Sequence, residues 1–412
     1  MIIKNIASIV GVTSPAKRRL EGVEMASVGM IKGAWLRTDG ELIAAYGPMA
    51  QMPAPAEGEE VIDACGGWLF PSFCDSHTHI VYAGSREGEF VDKIAGLSYE
   101  EIAERGGGIL NSADLLAATP EDELYRQAMS RVDEIIAAGT GAVEIKSGYG
   151  LSTDTELKML RVVARIAEST PLVVRATFLG AHAVARAYYG RQDEYVDHII
   201  TDMLPAVAAQ GVAQYVDVFC DKGFFTVRDT ERILDAAARY GLRPKIHANE
   251  LARSGGVQVG VAKGALSVDH LERMGAQEIE ALYGSSTIPT MLPGASFFLG
   301  MPYGPARQVI DAGLPLALAS DYNPGSSPSG NMKMVMSLGC IKMKLTPEEA
   351  FNAATLNGAY AMGVEAETGS IAEGKLASFF ITRPIPSLAF MPYAYTAPLI
   401  RRTFLRGREV TK

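Results

Sequence analysis

Two hydrophobic rhythms run along the chain. Over about the first sixty residues, short apolar stretches alternate with polar positions and are broken by turn residues: Met1 to Val10, Val23 to Lys32, Ala34 to Thr38 and Leu42 to Tyr46. Such runs predict strands, and Thr38-Asp39-Gly40-Glu41 predicts a hairpin turn. Pro53-Ala54-Pro55-Ala56-Glu57-Gly58 ends this region. The same style returns near the C-terminus in Ala377 to Thr382 and Leu399 to Leu405, with Pro384 and Pro386 as breaks. Both ends are expected to contribute β pieces to one small domain.

Between them, apolar runs of strand length alternate with amphipathic stretches, the arrangement of parallel βα units. Candidate strands are Trp68 to Cys74, Gly141 to Lys146, Leu172 to Leu179, Tyr215 to Cys220, Arg243 to His247, Leu266 to Asp269, Thr287 to Leu292 and Leu314 to Ser320. This series predicts an α/β fold, a (β/α)8 TIM-type barrel. Ser98-Tyr99-Glu100-Glu101 and Thr153-Asp154-Thr155-Glu156 match the Ser/Thr-x-x-Glu box that opens a helix. Thr346-Pro347-Glu348-Glu349 adds proline at the first helical position. In the helix expected over Thr155 to Ser169, Leu157, Leu160, Ala164 and Ile166 or Ala167 form a stripe suited to a barrel wall.

The 412 residues, 48% hydrophobic and 21% charged, are enough for a barrel and a smaller globular unit. A net charge of -9, with no basic run longer than Lys17-Arg18-Arg19, excludes nucleic acid as the main partner. The cysteines, at 65, 74, 220 and 340, form no Cys-x-x-Cys pair, as expected of reduced thiols in a cytoplasm. Met1 to Val10 lacks a small-residue cleavage site, and no apolar run approaches the roughly 20 residues of a membrane span. A cytoplasmic location without membrane partners is expected.

Of six histidines, all but His198 fall at or just beyond the C-terminal end of a candidate strand: His77, His79, His182, His247 and His270. In a βα barrel the loops after the strands build the active-site face, so these imidazoles converge. His198, in a helix expected over Glu194 to Ala208, is expected on the surface. Alternate strand residues share a face, so His77 and His79 reach one ion while Thr78 points away. His247 closes another strand, with Glu250 three residues on, and Asp321 ends the apolar run from Leu316 to Ser320. His77, His79, His247 and Asp321 suit Zn2+ or Fe2+ with an open position for water. Such an ion lowers the pKa of water from about 15.7 to roughly 7, which points to metal-assisted hydrolysis.

In that order, His77-Thr78-His79, His247, His270 and Asp321 resemble the amidohydrolase superfamily over the whole chain. The resemblance implies a metal-bearing barrel over 67–362 and a flanking β-sandwich from 1–66 and 363–412. Further blocks narrow it: Ala83-Gly84-Ser85-Arg86, Gly106-Gly107-Gly108-Ile109, Glu144 to Gly150, Thr177 to His182, Thr290 to Gly294 and Asp321 to Ser326 look like the imidazolonepropionase family. The resemblance implies opening of 4-imidazolone-5-propanoate to N-formimidoyl-L-glutamate, the third step of histidine degradation, by a homodimer. Arg86 and Tyr149 would bind the propionate, and Asn323, Gly325 and Ser326 the substrate or product carboxylate. His182 and Glu250 would contact the ring nitrogens, with Glu250 protonating the leaving nitrogen. His270 and the metal would stabilise the oxyanion while Asp321 takes the water's proton, the base being either His270 or Asp321.

Two positions depart from the family pattern: Asn249 stands where aspartate is usual, and Ala185-Arg186 follow His182 where proline is common. Three rival readings stay open. A heterocycle aminohydrolase shares the ligand pattern, a binuclear cyclic amidase would use Lys146 as a bridging carbamate, and a non-catalytic scaffold would keep only the barrel.

Overall fold

The computed structural model describes residues 1–97, 101 and 107–410. Ser98-Tyr99-Glu100 of one expected helix cap, and Gly106, lie outside the described residues. Five strands come first: β1 (Ile2–Val10), β2 (Met30–Asp39), β3 (Leu42–Pro48), β4 (Val61–Asp63) and β5 (Trp68–Pro71). The barrel strands follow: β6 (Phe73–Thr78), β7 (Thr140–Lys146), β8 (Val173–Ala181), β9 (Tyr215–Cys220), β10 (Arg243–Ala248), β11 (Ser267–His270), β12 (Ile288–Met291) and β13 (Ala317–Leu318). Last are β14 (Phe379–Thr382), β15 (Ile400–Leu405) and β16 (Arg408–Glu409).

Strands β6 to β13 pair with their sequence neighbours in an eight-stranded sheet, all in parallel. A parallel bridge from Thr78 to Tyr322 joins its two edges. There Asp321 N–H donates to His77 O and His79 N–H to Tyr322 O, each at 2.9 Å. The closed ring with its helices is a (β/α)8 barrel, and strands such as β9 are buried along their whole length because both faces are covered. The chain ends build a second eight-stranded sheet, in the order β16-β15-β14-β5-β1-β2-β3 with β4 beside β1. Its own core includes Ile3, Ile6, Leu36, Phe379 and Phe404. Among the described residues no helix is long and apolar enough to cross a membrane.

Three local expectations change. The single strand expected over Trp68 to Cys74 divides at Ser72, whose N–H bonds Ser378 O at 3.0 Å while Phe73 N–H bonds Gly139 O at 2.9 Å. Adjacent residues thus pair with different sheets. The first half of the strand expected over Val23 to Lys32 is a 3-10 turn, Gly22–Ala26. Gly22 has φ +51, and a Cβ there would lie 2.9 Å from Gly313 Cα. Asn352 Nδ2 holds the turn by donating to Met25 O (2.8 Å) and Ser27 O (3.0 Å). Third, the helix Thr153–Ser169 has Ser152 at its N-cap position with no side-chain capping bond, and Glu156 turns inward instead of closing a box with Thr153.

Aromatic packing joins the two sheets. The Phe380 ring of β14 lies 5.3 Å from that of Phe70 and 5.1 Å from that of Phe73, and is fully buried. Phe380→Ala should lower unfolding stability by about 3–5 kcal/mol, read from denaturant midpoints. A loss below about 1 kcal/mol would show that this contact does not hold the sheets together.

Candidate active site

The strand ends bring the expected donors together. His77 and His79 project from the end of β6 with their Nε2 atoms 3.3 Å apart. Asp321 Oδ1 lies 3.5 Å from the first and 3.6 Å from the second. The His247 ring, from β10, has its centroid 4.4 Å from that of His77. Donor atoms of His77, His79 and His247 all fall within 4.8 Å of one another, as do those of His77, His270 and Asp321. Asn249, His270, Leu271 and Asp321 have φ of +56°, +82°, +71° and +56°. Backbone of this kind at a cluster of donors is strain held by the surrounding structure. Asn249 carries its departure from the family pattern here, since asparagine tolerates the left-handed region, and its Oδ1 accepts from Ser254 Oγ at 3.3 Å.

Carboxylates behind the imidazoles set their orientation. His77 Nδ1 donates to Asp269 Oδ2 at 2.6 Å, and His247 Nδ1 lies 3.0 Å from Asp217 Oδ2. Each ring is left with Nε2 turned towards the centre. His247 Nε2 is buried and hydrogen-bonds to nothing in the protein among the described residues, and the His77 and His79 Nε2 atoms have only each other at 3.3 Å. Buried polar atoms are normally satisfied, so this concentration of open nitrogens beside a carboxylate fits a divalent metal ion. Lys146 does not present itself as a carbamate: its ammonium is paired to Glu144 at 2.7 Å and Asp217 at 2.8 Å.

Burial, chiefly, holds His77 and His79 well below the usual imidazole range and pushes His182 down to about 3, so all three are neutral and keep a lone pair. His270 differs. Burial opposes its charge, but Glu250 and Glu272, 3.6 and 3.7 Å from Nδ1, raise it well above the ordinary value. Burial also raises Asp321 and pushes Glu250 up to about 7 against the pull of His270.

Above the donors opens a cavity of about 410 Å³, lined by His79, His182, Glu250, His270, Asp321 and Tyr149 among others. Glu156 shapes the wall that carries Tyr149, accepting from Gly150 N–H (2.7 Å), Leu151 N–H (2.8 Å) and Gly148 N–H (3.1 Å). His182 Nδ1 lies 3.0 Å from Gly148 O, and its ring is parallel to that of His79. Asn323 folds the facing loop: its Oδ1 accepts from Gly325 and Ser326 N–H, both at 2.8 Å, and its Nδ2 donates to Asp321 O at 2.6 Å. Ser326 Oγ donates to the Asp321 carboxylate at 3.1 Å.

Arg86 reaches the cavity too, with Nε 2.8 Å from Glu89 Oε1. It packs on Gly325, where a Cβ would meet its guanidinium at 2.1 Å. Sequence reasoning missed Lys93, Phe219, Phe224 and Leu299, which together with Ile109 and Leu251 complete the lining. Lys93 Nζ donates to Gly325 O at 3.1 Å and forms no ion pair among the described residues. A helical spacing of seven from Arg86 puts it on the same face, a signal that was there to use. Phe224, stacked 4.0 Å from Phe219, comes from a loop and carried none. His198 packs on Tyr188, and Arg186 pairs with Asp114, both away from the lining.

The amidohydrolase family profile matches residues 68–410. Two curated relatives, both named imidazolonepropionase, are similar end to end. That of Christiangramia forsetii is 52% identical over 410 residues, 100% of each chain. That of Flavobacterium johnsoniae is 53% identical over 409 residues, 99% of each. Among solved structures, a 5-methylcytosine deaminase from Klebsiella pneumoniae has a TM-score of 0.75 at 18% identity, covering 100% of this chain and 98% of its own. A triazine hydrolase variant has 0.72 at 15%, covering 99% and 94%. At these identities the likeness is one of fold.

His247→Ala should leave only a small fraction of the divalent metal that purified unaltered protein carries, measured by plasma mass spectrometry. Full metal content in that variant would remove His247 from the centre.

Proposed function

The chain belongs to the amidohydrolase family and within it to the imidazolonepropionases, and on that premise we propose that it hydrolyses the ring amide of 4-imidazolone-5-propanoate to N-formimidoyl-L-glutamate, a step of histidine degradation. The observation that carries the reading is end-to-end identity of 52% to a named imidazolonepropionase, in a chain whose donors and cavity residues meet at one place.

A divalent ion, Zn2+ or Fe2+ on His77, His79, His247 and Asp321, supplies Lewis acidity and lowers the pKa of water to about 7. The protein's own groups divide the remaining work. The cavity receives a planar ring beside the His79 and His182 imidazoles. Asp321, on the cavity wall beside the histidine donors, is placed to accept the proton of the attacking water. Glu272 and Asp321 still raise His270 when Glu250 carries a proton, which supports a role in stabilising negative charge on the ring carbonyl oxygen rather than as the base. Glu250, pushed up to about 7, can carry a proton to the ring nitrogen as the C–N bond breaks. Arg86, Tyr149 and the Asn323-Gly325-Ser326 loop form the end of the cavity proposed for the propionate, and Lys93 adds positive charge there. The reading includes a cytoplasmic homodimer, which rests on the family resemblance.

The purified protein should consume imidazolone absorbance without releasing ammonia. Ammonia release from an aminated heterocycle, with no imidazolone turnover, would overturn the reading in favour of an aminohydrolase. Glu250 is protonated below about pH 7 and ionised above it, so kcat/KM should fall as pH rises through that value. Glu250→Gln should lower the rate and lose that limb. A limb unchanged in the variant would remove Glu250 as the proton donor.

A further inference from the structure

Beneath the metal-binding imidazoles, the barrel interior encloses ionic groups that the proposed chemistry leaves unused. Glu144, Lys146, Asp217, Lys245 and Asp269 are all fully buried and come from four different strands, β7, β9, β10 and β11. Three carboxylates there face two ammonium groups.

The two lysines differ in what they touch. Lys245 Nζ donates to Ser76 O (3.0 Å) and Ala361 O (3.2 Å) and pairs with Glu144, while Asp269 stays 3.9 Å away. Lys146 Nζ lies between the two carboxylates that hold the histidines: 2.8 Å from Asp217 Oδ2 and 3.6 Å from Asp269 Oδ2. These are the same oxygens that face His247 Nδ1 at 3.0 Å and His77 Nδ1 at 2.6 Å. One ammonium therefore hydrogen-bonds the anchor of His247 and lies within ion-pair distance of the anchor of His77, on separate strands.

We propose that Lys146 is a positioning residue for the metal centre, fixing through Asp217 and Asp269 the nitrogen that His247 and His77 turn towards the ion. The inference rests on reading those two histidines as metal ligands. A cation beside Oδ2 keeps that position an acceptor, so the ring facing it must donate from Nδ1 and offer the lone pair of Nε2. Without the ammonium, each carboxylate loses a buried counter-charge and is free to turn or take up a proton, and the ring loses its fixed partner.

Zinc affinity of the metal-stripped full chain, by competition with a chromophoric chelator, tests this apart from catalysis. Lys146→Met should weaken binding about 10–100-fold, the range for loss of an outer-sphere partner. Asp217→Asn should bind more nearly normally, because the Lys146 ammonium attracts the amide oxygen to the position facing His247 more strongly than the uncharged His247 backbone N–H, 3.1 Å from Oδ1, draws it away. In the double variant the amide can turn its NH2 to the ring, so the loss should exceed the two single losses combined. Unaltered protein that binds no zinc would sink the ligand reading itself. Normal binding there with unweakened binding by folded Lys146→Met, or losses that simply add, would overturn the role of Lys146 alone. Should the lysine variants not fold, nitrogen-15 shifts of His247 in metal-free Asp217→Asn decide: a retained Nδ1–H ring supports the proposal and an Nε2–H ring overturns it.

Discussion

The pair of backbone hydrogen bonds that closes the barrel is the constraint on which the site depends. Asp321 N–H to His77 O and His79 N–H to Tyr322 O join the first barrel strand to the segment after the last. They also set three metal-ligand candidates side by side. The seam is held from below, where Asp75 Oδ1 accepts the N–H of Ser320 at 2.9 Å, one residue before Asp321. Residues 245 positions apart in sequence are thereby fixed, and Asp321 reaches its place only with φ +56, a conformation a free chain would seldom keep. Closure and site geometry are one event.

The second constraint is charge without water. Five ionic side chains lie fully buried under the imidazoles, in a place where hydrophobic packing of similar volume would often be at least as stable. Burial opposes the charge of Lys146, yet Asp217, Glu144 and Asp269 outweigh it and raise its pKa above the ordinary lysine value. Such an arrangement makes sense if orientation is what it supplies: acceptors that are charged and held cannot rearrange when an ion arrives. Neutral His77 and His79 in front and paired carboxylates behind are two halves of the same electrostatic design.

The cavity walls follow a different rule. Tyr149, Asn323 and Arg86 stand on loops, and each loop is held by a few side-chain bonds: Glu156 to three successive regions of the Tyr149 wall, Asn323 to its own turn, Glu89 to Arg86. The barrel strands thus carry the candidate metal donors, and tied loops form the cavity wall around them. Solved structures of similar fold bear different names, a deaminase at 18% identity and a triazine hydrolase at 15%.

The sequence alone determined the alternation of elements, the barrel, the family and the five-position donor pattern of His77, His79, His247, His270 and Asp321, because each is written in local periodicity or in residue type at a strand end. A His-x-His pair on a strand shares a face whatever surrounds it. It did not reveal that Glu156 serves the Tyr149 loop rather than a helix cap, since Thr153-x-x-Glu156 satisfies both readings until a buried loop offers its N–H groups. Nor did it reveal that Trp68 to Cys74 changes sheets at Ser72, or that Lys146 sits between Asp217 and Asp269. Those facts depend on which distant strands become neighbours and in what register. Only closure of the barrel decides that, because a buried charge or N–H takes whichever partner the packed chain brings within reach.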